Sequence, residues 1–327
     1  MRKYLKSITT ALICLVAVII LGFILPRLLP GNSIAYLTGM DEESLSPEKY
    51  EYYYNALHLG DSVLVQFSYY IKDLFNGTLG YSFKNEATVS SILLSRIPAT
   101  LSITIPAMLL SSGVGLVWGM SSGKKRGKNF DKISSAFNVV VNAIPLFVIC
   151  LIALIVFCFK NRIFPYAGLN SNGLSPGSLD YVFDRIYHLV LPVLCLFLAE
   201  LPARFLAIRN ATSSIMNEKY IFYAKARGLK NSTVTWKYIF TNIKDQFITL
   251  LFMSFGSSIG GALVVENLFS INGMGTLLSS AIHSLDYPLL QGILFVSCLM
   301  MVISILTGDI LCIALSPKLR RGGNYEN

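Results

Sequence analysis

The chain has 327 residues, of which 54% are hydrophobic and only 14% charged. That balance excludes a soluble domain of this length, whose surface would need far more charge. The net charge of +9 implies no particular partner until its placement along the chain is known.

Six apolar stretches stand out: Ile8 to Leu25, Ala99 to Met120, Ile133 to Phe159, His188 to Ile208, Phe247 to Val265 and Leu289 to Leu315. Each approaches or exceeds the roughly 20 residues that cross a bilayer as helix. Backbone groups in lipid must bond within their own segment, so these are helices. The sequence therefore predicts an all-α, polytopic membrane protein with six transmembrane helices. Four sections follow: 1–30 as N-terminus and first span, 31–97 as an extracytoplasmic domain, 98–315 as a core of five spans, and 316–327 as a tail. Most of the 27 Lys and Arg residues fall at the N-terminus, at 124–132, at 204–244 and at 318–321. Positive segments stay in the cytoplasm, so both termini and the 217–245 segment are expected there. The basic charge thus reflects topology and offers no argument for nucleic acid. The first span lacks a small-x-small cleavage site before Pro26 and reads as a retained anchor. All six Cys lie inside predicted spans with no CxxC, so neither a disulfide framework nor a metal site is expected.

The 31–97 region is acidic, with helices expected at Glu48 to Leu59 and Val63 to Phe75. It reads as a solvated cap or as a dock for an extracellular partner. The second span ends in Gly119-x-Ser121-x-Gly123. This matches a hydrolase elbow in letters only, because that motif needs a strand-turn-helix with a His and an acid. The adjacent Gly-Lys is no phosphate-binding loop, since Trp118 and Lys125 replace required residues. The chain is accordingly not expected to hydrolyse ATP itself or to be an enzyme, and energy must come from a partner.

The third span carries Asn138, Asn142 and Pro145, and the fourth carries Glu200 between Pro192 and Pro202. Asn138, Asn142 and Glu200 are candidates for a translocation pathway. The alternatives are helix-helix glue for the Asn residues and an i, i+4 ion pair with Arg204 for Glu200.

Asn217 to Asp245 is polar and basic between two apolar spans. Glu218 to Arg227 fits a short helix, with Tyr220, Ala224 and Arg227 expected on one face. Gly228 supplies a stop, because glycine enters the left-handed conformation without strain. Asn231 and Ser232 then start a second helix, Thr233 to Ile243. The other reading of this helix-Gly-helix hairpin is an amphipathic interfacial helix. After the fifth span, the stretch that holds Glu266, Phe269, Gly273 and Gly275 resembles an outer re-entrant segment, and its two glycines permit a sharp turn.

Tyr220-Ile221 followed by Ala224-x-Ala226-x-Gly228-Leu229 resembles the cytoplasmic EAA loop of ABC importer permeases. More narrowly, it resembles the B-type permease subunit of the dipeptide/oligopeptide/nickel family. Phe222 stands where the general motif has Glu, and Tyr238, Phe240 and Thr241 replace its Ile-x-Leu-Pro end. Leu28 to Gly31, Gly77 to Ser82, Val264 to Phe269, Gly273 to Gly275, Asp286 to Pro288, Gln291-Gly292, Asp309 and Pro317 resemble the same family in the same order. Asn272 departs from its usual Pro and Ser316 from its usual acid. The resemblance implies a multi-pass permease of the bacterial cell membrane, paired with a second, C-type permease subunit. Two ABC ATPases dock at Tyr220, Ala224, Ala226, Arg227, Gly228 and Leu229, and an extracellular binding protein delivers cargo. No cofactor is expected on this chain; ATP and Mg belong to the partner ATPases. Peptides are the expected cargo, with nickel or a metal chelate as the alternative. An ion-coupled secondary transporter is the rival class. It predicts coupled carboxylates deep in the spans and an internal repeat, whereas only Glu200 and Asp309 occur.

Overall fold

A computed structural model describes residues 2–28, 34, 46–56, 58–82 and 84–315, with side chains of 2–7, 25–26 and 257 left aside. The expected tail at 316–327, the Leu29-Pro30-Gly31 motif and the acidic Asp41, Glu42 and Glu43 lie outside the described residues. The described chain is helical apart from one two-stranded hairpin. Among the described residues three helices are long and apolar enough to cross a membrane, or five if each of two bent pairs is one span; Ile8–Ile24 is a shorter apolar helix. The chain divides into two compact units, one of residues 1–100 and 272–302 and the other of 101–271 and 303–327.

The first unit begins with α1 (Arg2–Arg27), then α2 (Pro47–Ala56) and α3 (Val63–Asn76). Phe23 of α1 is buried against the Phe67 and Tyr70 rings of α3, with centroids 5.0 and 5.8 Å away. Aromatic pairs at these separations add to simple area burial. A short hairpin follows, β1 (Tyr81–Ser82) and β2 (Ala87–Thr88), with Tyr81 opposite Thr88. It leads into α4 (Val89–Lys124). Val89 and Leu93 pack with Met274, Leu277, Ala281, Leu289, Leu290 and Ile293 to form this unit's core. A buried carboxylate pins the arrangement. Asp286 accepts hydrogen bonds from Ser82 Oγ at 2.5 Å and from Leu289 N at 3.2 Å. Burial holds its carboxyl above the ordinary carboxylate range, against the pull of those two donors.

In the second unit, α5 (Asn129–Ala143) and α6 (Leu146–Ala153), which continues as a π-helical stretch Leu154–Lys160, meet at a 93° bend. The expected single third span is thus a bent pair. Its cause is Pro145: the residue before proline is driven to extended backbone, and Ile144 sits at φ −87°, ψ 120°. Pro145 then occupies the position that starts the next helix.

The long helix α7 (Leu179–Met216) follows. Three glycines at i, i+4, i+8 on α4 let it approach α7 backbone to backbone. A Cβ at Gly115 would lie 3.0 Å from Arg204 Cβ, at Gly119 2.9 Å from Phe205 O, and at Gly123 2.6 Å from Arg209 O. The letters that imitate a hydrolase elbow are therefore a packing seam. One turn beyond it, buried Asp131 accepts from Arg209 Nε and Nη2, both at 2.6 Å, from Ser122 Oγ at 2.6 Å and from Gly127 N at 2.9 Å. This clasp ties the α4–α5 turn to α7.

Candidate functional site

Beyond α7 the chain forms the hairpin. Its first arm is α8 (Lys219–Ala226), and Gly228 closes it at φ +74°. The second arm is not a separate helix. Asn231–Thr233 runs through a π-helical stretch, Val234–Phe240, straight into α9 (Thr241–Leu268). The second arm thus continues as helical backbone into an apolar helix.

The eight-residue helix α8 has two faces of different character. Ile221 and Ala224, spaced i, i+3, are 1% and 3% exposed and form one cluster with Leu116, Met120, Ile208, Val234, Ile239 and Ile243. Leu229 packs partly buried against the same cluster. Lys124 Nζ donates to Thr235 Oγ1 at 3.0 Å, tying the second arm to the end of α4. The opposite face carries Phe222, 70% exposed, and Tyr223, 61% exposed, as an edge-to-face pair 5.8 Å apart. Around it stand exposed Tyr220, Ala226, Arg227 and Gly228, with Lys219, Lys225 and Lys230. Burial, and then the Glu218 carboxylate, push the Tyr220 phenol up.

Ala224 turns inward with Ile221, while Tyr220 and Arg227, on the same side by their spacing, stand exposed at the rim. The small side chain of Ala224 packs into the chain's own core and is not offered outward. Sequence reasoning passed over Phe222 and Tyr223 by treating Phe222 only as a missing Glu. Two adjacent large aromatics outside the i, i+3 buried pair were the available signal.

Glu200 lies on α7, paired with Arg204 Nη2 at 2.9 Å and accepting from Ser111 Oγ at 3.2 Å and from Ser258 Oγ. The pair lines an apolar cavity of about 500 Å³ with Leu146, Leu196, Met253 and Gly261 among its walls. Asn138 is buried, and its Nδ2 bonds back to Ser134 O at 2.9 Å within α5. Asn142 is exposed. Neither Asn lines the Glu200 cavity among the described residues.

In the expected re-entrant stretch, Glu266 and Phe269 are buried at the end of α9. The turn is made by Ser270 at φ +50°, with Ile271 N reaching Glu266 O at 2.8 Å. Gly273 is extended, at φ −109°, and Gly275 is the second residue of α10 (Met274–His283). The sharp turn assigned to the glycines thus belongs to the serine. Met274 N donates to Thr100 Oγ1 at 2.9 Å, and α11 (Tyr287–Leu315) follows.

Long apolar helices, one of them continuous with a surface hairpin, describe a multi-pass membrane protein. The chain matches the family described as binding-protein-dependent transport system inner membrane component over residues 115–321, and the corresponding N-terminal family over residues 1–104. It is 30% identical over 329 residues to the nickel import system permease protein NikB of Staphylococcus aureus (strain MRSA252), covering 99% of this chain and 94% of that one. It is 27% identical over 319 residues to the oligopeptide transport system permease protein AppB of Bacillus subtilis (strain 168), covering 97% and 98%. A putative peptide transport system permease protein of Brucella abortus (strain 2308) is 29% identical over 317 residues, covering 97% and 98%. The chain belongs to the binding-protein-dependent inner membrane components, as an ABC importer permease subunit of the dipeptide/oligopeptide/nickel family. As such it is a multi-pass inner-membrane protein that works in a complex with other ABC components.

Proposed function

We propose that this subunit carries peptides, and that its hairpin is the point at which two partner ATPases grip it. The observation that carries the reading is the division of α8: one face locked into the core of its own unit, the other presenting Phe222 and Tyr223 in a basic rim. A rigid inner face and an aromatic outer face suit an element that must pass on force and be held by another protein. ATP and Mg reside on those partners; this chain contributes no ATPase site and no cofactor. A second, C-type permease subunit completes the pathway, and an extracellular binding protein delivers cargo to the 31–97 domain. Six spans make up the permease, 98–315 forming the core and both termini lying in the cytoplasm. Transport follows alternating access, in which ATP binding favours one of two states of the core. Nickel or a metal chelate is the second reading of the cargo, favoured by the likeness to the nickel import permease.

Uptake of a radiolabelled dipeptide should disappear when this permease is deleted and return when it is restored, with nickel uptake unaffected. Loss of nickel uptake with peptide uptake intact would move the assignment to the second reading. Topology is tested by single cysteines in a Cys-free background. Lys49→Cys and Asn172→Cys are expected to react with an impermeant maleimide in intact cells. Lys128→Cys and Lys230→Cys should react only after permeabilisation. A Lys230→Cys that labels in intact cells would reverse the orientation and end the docking proposal.

A further inference from the structure

The turn between α4 and α5 carries Lys124, Lys125, Arg126, Lys128 and Lys132, and Asp131 is its one carboxylate. That carboxylate is already taken by Arg209, Ser122 and the Gly127 amide. Among the described residues no acid pairs with Lys124, Lys125, Arg126, Lys128 or Lys225.

Three of these cations are nonetheless fixed in place. Lys124 Nζ donates to Thr235 Oγ1 at 3.0 Å, and Arg126 Nη1 to Ser213 Oγ at 3.0 Å. Lys125 Nζ sits over the Phe130 ring, 4.7 Å from its centroid. Uncharged partners hold each side chain without cancelling its charge, and an ammonium or guanidinium has further N–H donors to offer. The charged neighbours that act on Lys124 are Lys125 and Lys225, both of its own sign. Like charges gathered in this way repel one another, and an anion placed among them relieves the repulsion.

The cluster stands at the head of an apolar stripe. Phe130, Ile133, Phe137 and Val140 recur at i, i+3, i+7 and i+10, which places them on one side of α5. All four are exposed, whereas Asp131, Ser134 and Asn138 of the same helix are buried. Because Lys125 lies over Phe130, the cations and the stripe are contiguous.

We propose that the α4–α5 turn binds an anionic phospholipid, its phosphate held among Lys124, Lys125, Arg126 and Lys128 and an acyl chain lying along Phe130, Ile133, Phe137 and Val140. Charge complementarity selects the phosphate. The stripe selects a lipid over a free anion, which would leave the apolar side chains unused. Four bulky residues suit a flexible chain better than a second protein, since close helix contacts within membranes favour small residues. A headgroup bound here also braces the hairpin, because Lys124 ties this turn to the hairpin's second arm. The site depends neither on the cargo nor on what grips the hairpin.

Trp118 of α4 serves as the probe. Its ring lies 5.7 Å from that of Phe137, and its Nε1 donates to Ser134 Oγ at 2.9 Å. The chain has two Trp, so Trp236→Phe leaves Trp118 as the sole emitter. The test places this full-length variant in phosphatidylcholine vesicles in which part of the lipid carries brominated chains, either as phosphatidylglycerol or as phosphatidylcholine. Bromine quenches the indole when the chain lies beside it. Phosphatidylglycerol should be preferred at least about tenfold, since each cation at an anionic surface contributes about a factor of five. Adding Lys125→Gln and Lys128→Gln should lower that preference at least about fivefold, while Lys125→Arg with Lys128→Arg should keep it. Soluble glycerophosphoglycerol, which lacks the chains, should not displace the lipid. Equal quenching by both lipids would make the stripe ordinary lipid contact and overturn the site. Quenching by neither would mean that protein covers the stripe, with the same consequence. A preference that the two Gln substitutions leave unchanged, or that glycerophosphoglycerol abolishes, also overturns the proposal.

Discussion

Replacing Gly123 by leucine will abolish the folded permease, while replacing Gly113 by alanine will leave it intact or make it slightly more stable. The contrast follows from what each new side chain meets. A Cβ at Gly123 would stand 2.6 Å from Arg209 O and 2.7 Å from Thr212 Cβ. The first of these is backbone and cannot rotate away, so α4 and α7 must part. Overpacking by itself typically costs about 1–3 kcal/mol. Here the separation also strains the Asp131–Arg209 clasp, whose Nε–Oδ1 distance is 2.6 Å. Gly113 lies on the same helix with nothing within 4 Å of its would-be Cβ. Alanine there relieves the entropic penalty of a helical glycine, about 0.5–1 kcal/mol. Thermal unfolding in detergent, with size-exclusion profiles as a check, measures both. A well-folded Gly123→Leu protein with an unchanged midpoint would mean that the helices do not meet along this seam.

Much of this architecture was legible in the sequence where one-dimensional signals suffice. Apolar length marked where the membrane-capable helices run but not how many spans they make, and Gly228 was correctly read as the helix stop. Contacts between distant positions were not legible. Asp131 and Arg209 are 78 residues apart, and Ser82 and Asp286 are 204 apart; nothing local to either partner announces the other. Pro145 illustrates a different limit. A proline inside an unbroken apolar run is compatible with a mild kink or with a full break, and only the packing of both halves decides for 93°. The seam at Gly115, Gly119 and Gly123 was hidden by a more familiar pattern, since Gly119 and Gly123 also spell GxSxG. In α8 the difficulty was composition. With Tyr220, Ile221, Phe222 and Tyr223 in succession, every direction is apolar, and periodicity cannot say which faces inward. The aliphatic Ile221 and small Ala224 fill the limited space between α4, α7 and α9, and the bulkier rings remain outside.

That division changes which substitution can test the hairpin. Ala224→Asp places a carboxylate inside the apolar cluster of Ile208, Ile221, Val234 and Ile239. Burying an unpaired charge destabilises the fold, so loss of transport in that variant would report on folding and say nothing of docking. Phe222→Asp is the informative change. The ring is 70% exposed and its contact within the chain is Tyr223, so the protein should insert, purify and unfold as wild type does. If the ATPases grip this face, an aromatic at the centre of the contact contributes about 2 kcal/mol or more. Its loss lowers affinity about thirtyfold. ATPase subunits should then co-purify poorly and uptake should fall at least tenfold, while the binding protein still docks. Gly228→Ala serves as a graded comparison. It meets nothing within 4 Å but holds φ at +74°, so backbone strain of about 1 kcal/mol is its only expected effect. An interfacial helix lying on lipid would tolerate Phe222→Asp poorly in membrane insertion and would show no ATPase dependence. Normal insertion with full ATPase recovery and full uptake would remove Phe222 from the contact and, with it, the basis for assigning this face to the ATPases.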